Sequence, residues 1–349
     1  MKVLCAMSGG VDSSVAALLL AEAGHDVAGV TLKLWGGESD TGCCAVSDTD
    51  DARQVARRLG IDHHVFNFGD EFTTSVVEPY LEAHRVGLTP NPCIECNRHL
   101  KFDKLTRRAA ALGFDAVATG HHVRRLRAAN GTWRVGRGVD PAKDQSYVLH
   151  MLDAVALERI LFPVGELTKD EVRRIAADHG LATADKADSQ DVCFITRSAG
   201  RETFLGDRIP LHPGRVVDGS GAEVGRVAAI ESVTIGQRRG LTLAGGAGRR
   251  YVVDVDVAGR TVTVGEPEDL LVSETAVTGL VWAAGAPTGR VHVQTSAHGR
   301  PAEATLNMAG DAAVVRWAER RPAVAPGQSV VFYDAETVLG GGVATTSSG

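Results

Sequence analysis

Apolar and polar positions alternate in blocks along the first half of the chain, and the blocks have the lengths of strands and helices. An apolar run at residues 2–6 leads into a Ser/Gly turn, and a longer apolar run follows as far as Gly24. This order predicts a buried strand, a tight turn and a helix that ends at a glycine. Further apolar runs at residues 27–32, 64–68 and 115–120 predict more strands of the same sheet.

Helical spacing separates these strands. An apolar stripe begins after Ser47 and stops at Gly60, and further helices are predicted around residues 70–86 and from about Asn97 to Gly113. A capping box at Thr168 predicts the start of one more helix. Strand–helix alternation of this kind predicts an α/β fold with a doubly wound parallel sheet.

The pattern changes after about residue 200. Short β-branched runs now recur between Gly, Pro and Asp residues, and the last of them, residues 329–333, precedes a glycine-rich tail. We therefore predict two small β-rich domains after the parallel sheet. The predicted domains are 1–200, 201–266 and 267–349.

Composition narrows the class of protein. Hydrophobic residues make up 44% of the chain and charged residues 23%, as in ordinary soluble proteins. No segment approaches the ~18 apolar residues that span a bilayer, and the first strand starts too early for a signal peptide. We expect a cytoplasmic protein with no membrane partner. Six cysteines in that compartment favour catalysis, redox exchange or metal binding over structural disulfides.

Charge is segregated along the chain. The formal net charge is −6, yet residues 98–143 hold eleven Lys or Arg against three acidic residues. Local charge decides contacts with phosphates, so this basic block is a candidate surface for nucleic acid. A set of solvated helix and hairpin faces would give the same pattern.

The turn after the first strand is the strongest candidate for chemistry. Residues 8–13 read Ser-Gly-Gly-Val-Asp-Ser, so backbone N–H groups, hydroxyls and a helix N-terminus converge on one point. The spacing is neither a Walker A motif nor a dinucleotide fingerprint. It is the pyrophosphate-loop pattern of enzymes that split ATP between its α- and β-phosphates. A glycine-rich structural turn is the alternative.

Three cysteines are candidates for chemistry. Cys93 and Cys96 form a C-x-x-C pair, which is typical of a redox couple or half of a metal site, and no second pair completes a zinc site. Cys96 precedes the helix predicted from Asn97, where the helix dipole would lower a thiol pKa. Cys193 lies in a polar loop, and Cys5 is expected in the core.

These residues belong to a set of motifs that resembles the bacterial tRNA-specific 2-thiouridylases over nearly the whole chain. The motifs stand at residues 7–13, 89–92, 96–97, 119–122, 143–147, 165–169, 188–195, 235–241 and 326–328. The resemblance implies an ATP-binding sheet domain, a small middle domain and a C-terminal β-barrel that grip the anticodon arm of tRNA. It also implies replacement of the C2 oxygen of the wobble uridine with sulfur, giving AMP and pyrophosphate.

Site residues follow from the same resemblance. It places ATP against Ala6, Met7, Ser8, Gly9, Gly10, Val11, Asp12, Ser13, Leu32 and Gly120. Because the Asp12 carboxylate would repel a polyphosphate, we expect it to engage Mg²⁺. Cys96 matches the nucleophile and Cys193 the persulfide carrier, which a sulfur-carrier protein or cysteine desulfurase would load. The target base falls at Asn91, Pro92 and Cys93. The tRNA contacts fall at His121, Lys143, Asp144, Gln145 and Gln328.

Three alternatives stay open on the residues alone. Many members of the family have Asp at the position of Cys93, so the extra thiol makes Cys93, Cys96 and Cys193 a candidate iron–sulfur site. Another pyrophosphate-loop ligase acting on a small molecule would share the ATP loop without needing Cys96, Cys193 or the basic block. A cluster-carrying RNA-binding protein would not need the ATP loop.

Overall fold

A computed structural model describes residues 1–35, 46–188, 192–195, 200–243 and 249–345 of the 349-residue chain. Cys43 and Cys44 therefore lie outside the described residues. Across these ranges, no helix has the length and apolar character that crossing a membrane requires.

The first part of the chain forms a parallel sheet. Its described strands are β1 (Lys2–Ala6), β2 (Asp26–Lys33), β3 (Asp62–Asn67), β4 (Ala116–Thr119) and β7 (Ile160–Leu161). They pair in the order β3-β2-β1-β4-β7. Because helices cover both faces of β1, its middle residues are fully buried, as a continuous apolar run requires. The prediction of a doubly wound parallel sheet is confirmed.

Helices pack on both faces of this sheet. One face carries α1 (Val11–Glu22), α2 (Val46–Leu59) and α8 (Lys169–Asp178) around one hydrophobic cluster. The other face carries two longer helical segments, each with a π-helical stretch in the middle. They are α3 (Gly69–Phe72), 73–77 and α4 (Glu78–Arg85), then α5 (Pro92–Cys96), 97–104 and α6 (Leu105–Ala111). Two short helices, α7 (Ala154–Leu157) and α9 (Gly200–Gly206), follow along the chain.

The second of these segments begins earlier than predicted. It starts at Pro92 rather than near Asn97, because the Asn91 side chain accepts a hydrogen bond from the Cys93 amide at 3.1 Å. Asparagine at the cap and proline at the first helical position both favour a start here. The prediction that Cys96 lies at a helix start is therefore wrong.

The rest of the chain forms two β-rich domains. The central sheet has the order β10-β9-β8-β12-β11, with β8 (Gly214–Val217), β9 (Glu223–Val227), β10 (Thr242–Leu243), β11 (Tyr251–Asp256) and β12 (Thr261–Gly265). The last domain is a closed barrel of β13 (Leu271–Trp282), β14 (Gly289–Gln294), β15 (Ala302–Ala309), β16 (Ala312–Pro322), β17 (Ser329–Asp334) and β18 (Thr337–Ala344). Pairing of β13 with β18 closes it, which confirms the β-barrel.

Two features of the barrel region differ from what the sequence predicts. The glycine-rich tail is a strand, β18, in which a Cβ on Gly341 would lie 2.5 Å from the His150 ring, so glycine permits the close packing. The basic block contains a hairpin of β5 (Val123–Arg127) and β6 (Trp133–Arg137), for which the sequence predicts no strand positions, and β6 pairs with β18. This hairpin joins the sheet domain to the barrel.

Candidate functional site

The Ser/Gly turn lies where the strand order of the parallel sheet reverses. β1 has β2 on one side and β4 on the other. The chain therefore leaves β1 and β4 in opposite directions, and a crevice forms at the carboxyl ends of these two strands. Ligands of open α/β sheets bind in such a crevice. The loop at residues 7–10 lies there, with the first turn of α1 beside it.

The loop conformation depends on its glycines and serines. Gly9 has φ +75°, and a Cβ at this residue would lie 2.2 Å from the carbonyl oxygen of Asp48. The Ser13 hydroxyl donates to the Gly10 carbonyl at 3.1 Å and accepts from the Ser8 amide at 3.1 Å. Gly9 thus lets the loop pass closely against α2, and Ser13 fastens the turn to the start of α1.

The other expected ATP-binding positions converge on the same edge of the sheet. Gly120 follows β4, and a Cβ on it would lie 2.5 Å from the Ser13 amide nitrogen. Ala6 ends β1, and Leu32 lies near the end of β2, 8% exposed. The fold therefore brings together residues that are more than a hundred positions apart in sequence.

Asp12 lies in the first turn of α1 at this edge and has two partners from other elements. Its carboxylate accepts hydrogen bonds from the Lys169 ammonium at 2.7 and 2.8 Å and lies 3.0 Å from His122 Nε2. Burial opposes ionisation of Asp12, but the bonds to His122 and Lys169 outweigh it and lower the pKa of the carboxyl. Asp12 is thus held as a carboxylate beside the loop.

Lys169 also reaches a second carboxylate. Its side chain is 9% exposed and lies 2.9 Å from Asp188, which further accepts from Lys143 and Arg173 at 2.8 Å each. Burial would raise the pKa of Asp188, but hydrogen bonds from Lys143 and Lys169 lower it to about 2. We call Asp12, Lys143, Lys169, Arg173 and Asp188 the loop charge cluster.

Sequence reasoning missed most of this cluster. The capping box marked Thr168 and Lys169 only as a helix start, and the structure does show it, with Thr168 accepting from the Glu171 amide. That cap orients the first turn of α8 so that Lys169 faces the crevice. Lys143 was assigned to tRNA alone, whereas its ammonium here binds Asp188.

The cysteines occupy different environments. Cys96 is 8% exposed and belongs to a hydrophobic cluster that includes Phe72 and Phe194. Cys193 is half-buried and packs against the same cluster. Cys93 is exposed in the first turn of α5, while Cys5 is fully buried in β1, where burial raises its pKa to about 12. Cys96 and Cys193 thus share one cluster.

The described residues do not fit a three-thiolate metal site. Cys93 faces solvent and Cys96 faces the core, although they are only three positions apart on one helical segment. Within the described ranges, no three His, Cys, Asp or Glu side chains are grouped so that they could hold a metal ion. An iron–sulfur cluster would need the thiols to converge on one point.

Much of the basic block makes internal contacts. Arg137 binds Asp144 at 2.7 Å and Gln294 at 2.9 Å, and its guanidinium lies 3.8 Å from the centre of the Tyr333 ring. Arg125 donates to the carbonyl oxygens of Leu157 and Ile160, and Lys104 pairs with Glu71. These side chains fasten the hairpin, the barrel and the sheet domain together, a role that local charge counts do not reveal.

The residues expected at tRNA include several with internal roles as well. The His121 ring is buried beside Phe102 and Phe162, and burial holds its pKa well below the ordinary value. The Asp144 carboxylate accepts from the Ser146 hydroxyl, and Gln145 accepts from the His122 amide at 2.9 Å. Their contacts with tRNA stay a prediction.

The end of α4 and the loop that follows it contact both β-rich domains. The Thr89 amide donates to the Pro326 carbonyl at 2.7 Å, beside the expected tRNA contact Gln328. His84 Nδ1 lies 3.0 Å from the Glu231 carbonyl of the central domain. Residues 84–89 therefore join three domains immediately before Asn91.

Comparison with known proteins gives one consistent result. Residues 1–197 match the family described as tRNA methyl transferase HUP domain, residues 202–266 the tRNA methyl transferase PRC-barrel domain, and residues 272–344 the Aminomethyltransferase beta-barrel domain. The chain is 47% identical over 350 residues to tRNA-specific 2-thiouridylase MnmA of Chloroflexus aggregans, covering 97% of each chain. It is 45% identical to the protein of the same name from Mycolicibacterium paratuberculosis, covering 97% of this chain and 98% of that one.

A solved structure is also similar in part. U34-tRNA thiolase NcsA from Methanococcus maripaludis, described with its 4Fe-4S cluster, is 19% identical, with a TM-score of 0.37. The match covers 59% of this chain and 64% of that one.

Proposed function

The chain belongs to the tRNA-specific 2-thiouridylases, and on that premise we propose that it adenylates the C2 oxygen of the wobble uridine of tRNA and replaces it with persulfide sulfur. As a tRNA uridine sulfurtransferase, it faces a chemical obstacle, since oxide cannot leave C2 unaided. Attack of the uracil oxygen on the α-phosphate of ATP expels pyrophosphate and turns that oxygen into part of AMP, which can leave.

The observation that carries the ATP step is the position of the loop at residues 8–13 in the crevice between β1 and β4. Backbone N–H groups and the start of α1 supply preorganised positive charge where the phosphates gain negative charge. Asp12 is the carboxylate that would hold Mg²⁺, since magnesium nucleotides take one or two protein carboxylates besides phosphate oxygens. Ala6, Leu32 and Gly120 form the walls around the nucleotide.

Sulfur transfer uses the two cysteines on the shared hydrophobic cluster. The terminal sulfur of a Cys193 persulfide attacks C2, and AMP leaves with the former C2 oxygen. The Cys96 thiolate then attacks the Cys193 sulfur, which releases 2-thiouridine and leaves a Cys96–Cys193 disulfide. A reductant must supply two electrons, and a sulfur-carrier protein or cysteine desulfurase must supply the next persulfide. Bond formation requires the two Cα atoms to come within about 7 Å during turnover.

The three domains have distinct parts in this proposal. Residues 1–200 hold ATP and the cysteines, while residues 201–266 and 267–349 grip the anticodon arm. The target uridine leaves its stack to reach Asn91, Pro92 and Cys93, as bases do when enzymes act on their ring atoms. A pyrophosphate-release assay with ATP, with and without tRNA, tests the function: release that needs tRNA supports it, and release that is indifferent to tRNA contradicts it.

Loss of Cys93 separates the persulfide route from the iron–sulfur alternative. We expect Cys93→Ala to keep most thiolation activity, because its exposed thiol is outside the cluster shared by Cys96 and Cys193. The assay is 2-thiouridine formation by anaerobically purified protein, with iron content measured on the same sample. Bound iron together with complete loss of activity in Cys93→Ala would favour the cluster instead.

Lys101 is expected to contribute to tRNA binding without choosing among tRNAs. It lies in the 97–104 stretch of the same helical segment that carries Cys93, close in sequence to the expected base pocket. Because phosphate contacts position nucleic acid, Lys101→Ala should weaken binding of all tRNAs and reduce the salt slope by about 1. Titrations at several salt concentrations measure the slope. The control is Arg53→Ala in α2, which removes an exposed cation paired with Asp50; an equal change in both variants would contradict a role for Lys101.

A further inference from the structure

The disulfide left by sulfur transfer is sheltered from reductants in solution. Cys96 is 8% exposed within the hydrophobic cluster, and Cys193 is half-buried against the same cluster. Among the cysteines that the structure describes, only Cys93 is exposed. Of these thiols it is therefore the one that a large reductant can approach from solvent.

Cys93 lies one helical turn before Cys96. Both belong to α5, which begins at Pro92 under the Asn91 cap. Residues three positions apart in an α-helix have Cα atoms about 5 Å apart, which is within the range of roughly 4.4–6.8 Å that a disulfide spans. Their Cβ atoms lie about 5–6 Å apart, so the turn must tighten by about 1 Å before the sulfurs can bond. The first turn of a helix can do so because its amides have no intrahelical partner.

The Cys96 sulfur has the other two thiols on different sides. Cys93 lies on the solvent side, whereas Cys193 packs on the hydrophobic cluster. This suits thiol–disulfide exchange, in which the attacking and the leaving sulfur take opposite sides of the sulfur that is attacked. Desolvation by neighbouring groups raises the pKa of the Cys93 thiol, although its side chain reaches solvent, so little of it is thiolate at neutral pH. Proximity compensates, since a thiol one turn away acts at a high effective concentration.

We propose that Cys93 is a resolving thiol, which attacks the Cys96 sulfur of the Cys96–Cys193 disulfide and moves that disulfide to the exposed Cys93–Cys96 pair. The proposal rests on the proposed sulfur transfer. A bond forms between the sulfurs of Cys93 and Cys96 while the bond from Cys96 to Cys193 breaks. Cys193 leaves as a thiolate and can take up the proton that Cys93 lost, so no electrons enter at this step.

An external dithiol protein completes the cycle. It gives two electrons and two protons to the Cys93–Cys96 disulfide and becomes a disulfide itself. Cys193 is already a thiol at that stage and can accept the next persulfide. Because the exchange follows sulfur transfer, it changes how the enzyme is restored and not whether 2-thiouridine forms.

Disulfide mapping after one turnover tests the proposal. Persulfide-loaded protein reacts with Mg-ATP and unmodified tRNA without reductant, is quenched with N-ethylmaleimide and is digested with trypsin. Residues 86–98 contain no internal Lys or Arg, so Cys93 and Cys96 stay in one peptide and Cys193 is in another. We expect an internal disulfide in the first peptide, about one for each 2-thiouridine formed. Cys93→Ser should instead yield the two peptides joined through Cys96 and Cys193.

Multiple turnover gives a second readout. The rate with thioredoxin is divided by the rate with excess dithiothreitol, and this ratio cancels any effect of the substitution on base binding. Cys93→Ser should lower the ratio about tenfold, because a protein reaches the sheltered disulfide less easily than a small dithiol does. The control is Cys5→Ala, which removes a fully buried thiol from β1 and should keep the ratio.

The outcomes separate this inference from the proposed function. No 2-thiouridine from the unaltered protein would overturn the proposed sulfur transfer itself. Formation of 2-thiouridine with a Cys96–Cys193 disulfide that persists in the unaltered protein, or with a disulfide to any other cysteine, would overturn only the role of Cys93. Equal ratios for Cys93→Ser and Cys5→Ala would overturn that role as well.

Discussion

Replacing Cys193 with serine is expected to abolish 2-thiouridine formation, a loss on the order of a thousandfold or more, while the ATP step survives. The reason is that sulfur handling and nucleotide activation use different residues, and Cys193 lies on the hydrophobic cluster rather than in the loop charge cluster. Cys193→Ser should therefore release a burst of pyrophosphate equal to the enzyme and then stop. Nucleoside mass spectrometry and a pyrophosphate assay on the same reaction measure both results.

Cys96→Ser should stop at a different point. Without a thiolate to attack the Cys193 sulfur, tRNA should remain linked to Cys193 through a disulfide that a reductant cleaves. Cys5→Ala is the control, because it removes a buried thiol from β1 that has no part in the chemistry. If Cys193→Ser still made 2-thiouridine, or if Cys96→Ser accumulated no linked tRNA, the assigned roles would be wrong.

Asp12→Ala is expected to reduce AMP and pyrophosphate formation at least a hundredfold, the usual scale for losing one preorganised group around a reacting charge. The protein should stay folded, because Lys169 keeps Asp188 as a partner at 2.9 Å when Asp12 is removed. AMP formation is followed with radiolabelled ATP, and thermal melting of the same sample reports on the fold.

Asp50→Ala is the matched control for that experiment. Asp50 lies on α2 and forms an exposed pair with Arg53, so its loss removes an equal charge from a neighbouring helix. Full AMP formation by Asp12→Ala would contradict the placement of ATP at this loop. A large fall in melting temperature for Asp12→Ala would instead assign Asp12 a structural role.

The sequence predicts the Ser/Gly turn and its flanking strand and helix well, because the information is local. A strand, a Ser/Gly turn and a helix follow one another within residues 2–22, and each part has its own signal in apolar spacing or turn chemistry. The order of the strands comes from the structure, in which β4 lies beside β1 and places Gly120 against Ser13.

The sequence does not predict the contacts between residues that are far apart in the chain. Asp12 and Lys169 are 157 positions apart, and nothing in the capping box at Thr168 indicates that the next side chain points at the loop. The sequence predicts a helix from about Asn97. In the structure this helix already begins at Pro92, because the Asn91 side chain caps it there. In the sequence, the arginines of the hairpin look like a surface for nucleic acid. In the structure, Arg137 instead packs against Tyr333 of the barrel.

The most direct test of the account follows sulfur from the enzyme to the tRNA in a single turnover. Protein loaded with a ³⁴S persulfide on Cys193 is mixed with Mg-ATP and an unmodified tRNA transcript, and the nucleosides, AMP and pyrophosphate are quantified. The account predicts one ³⁴S-labelled 2-thiouridine at the wobble position for each AMP and each pyrophosphate, and none without ATP. Unlabelled product, or labelled product formed without ATP, would contradict it.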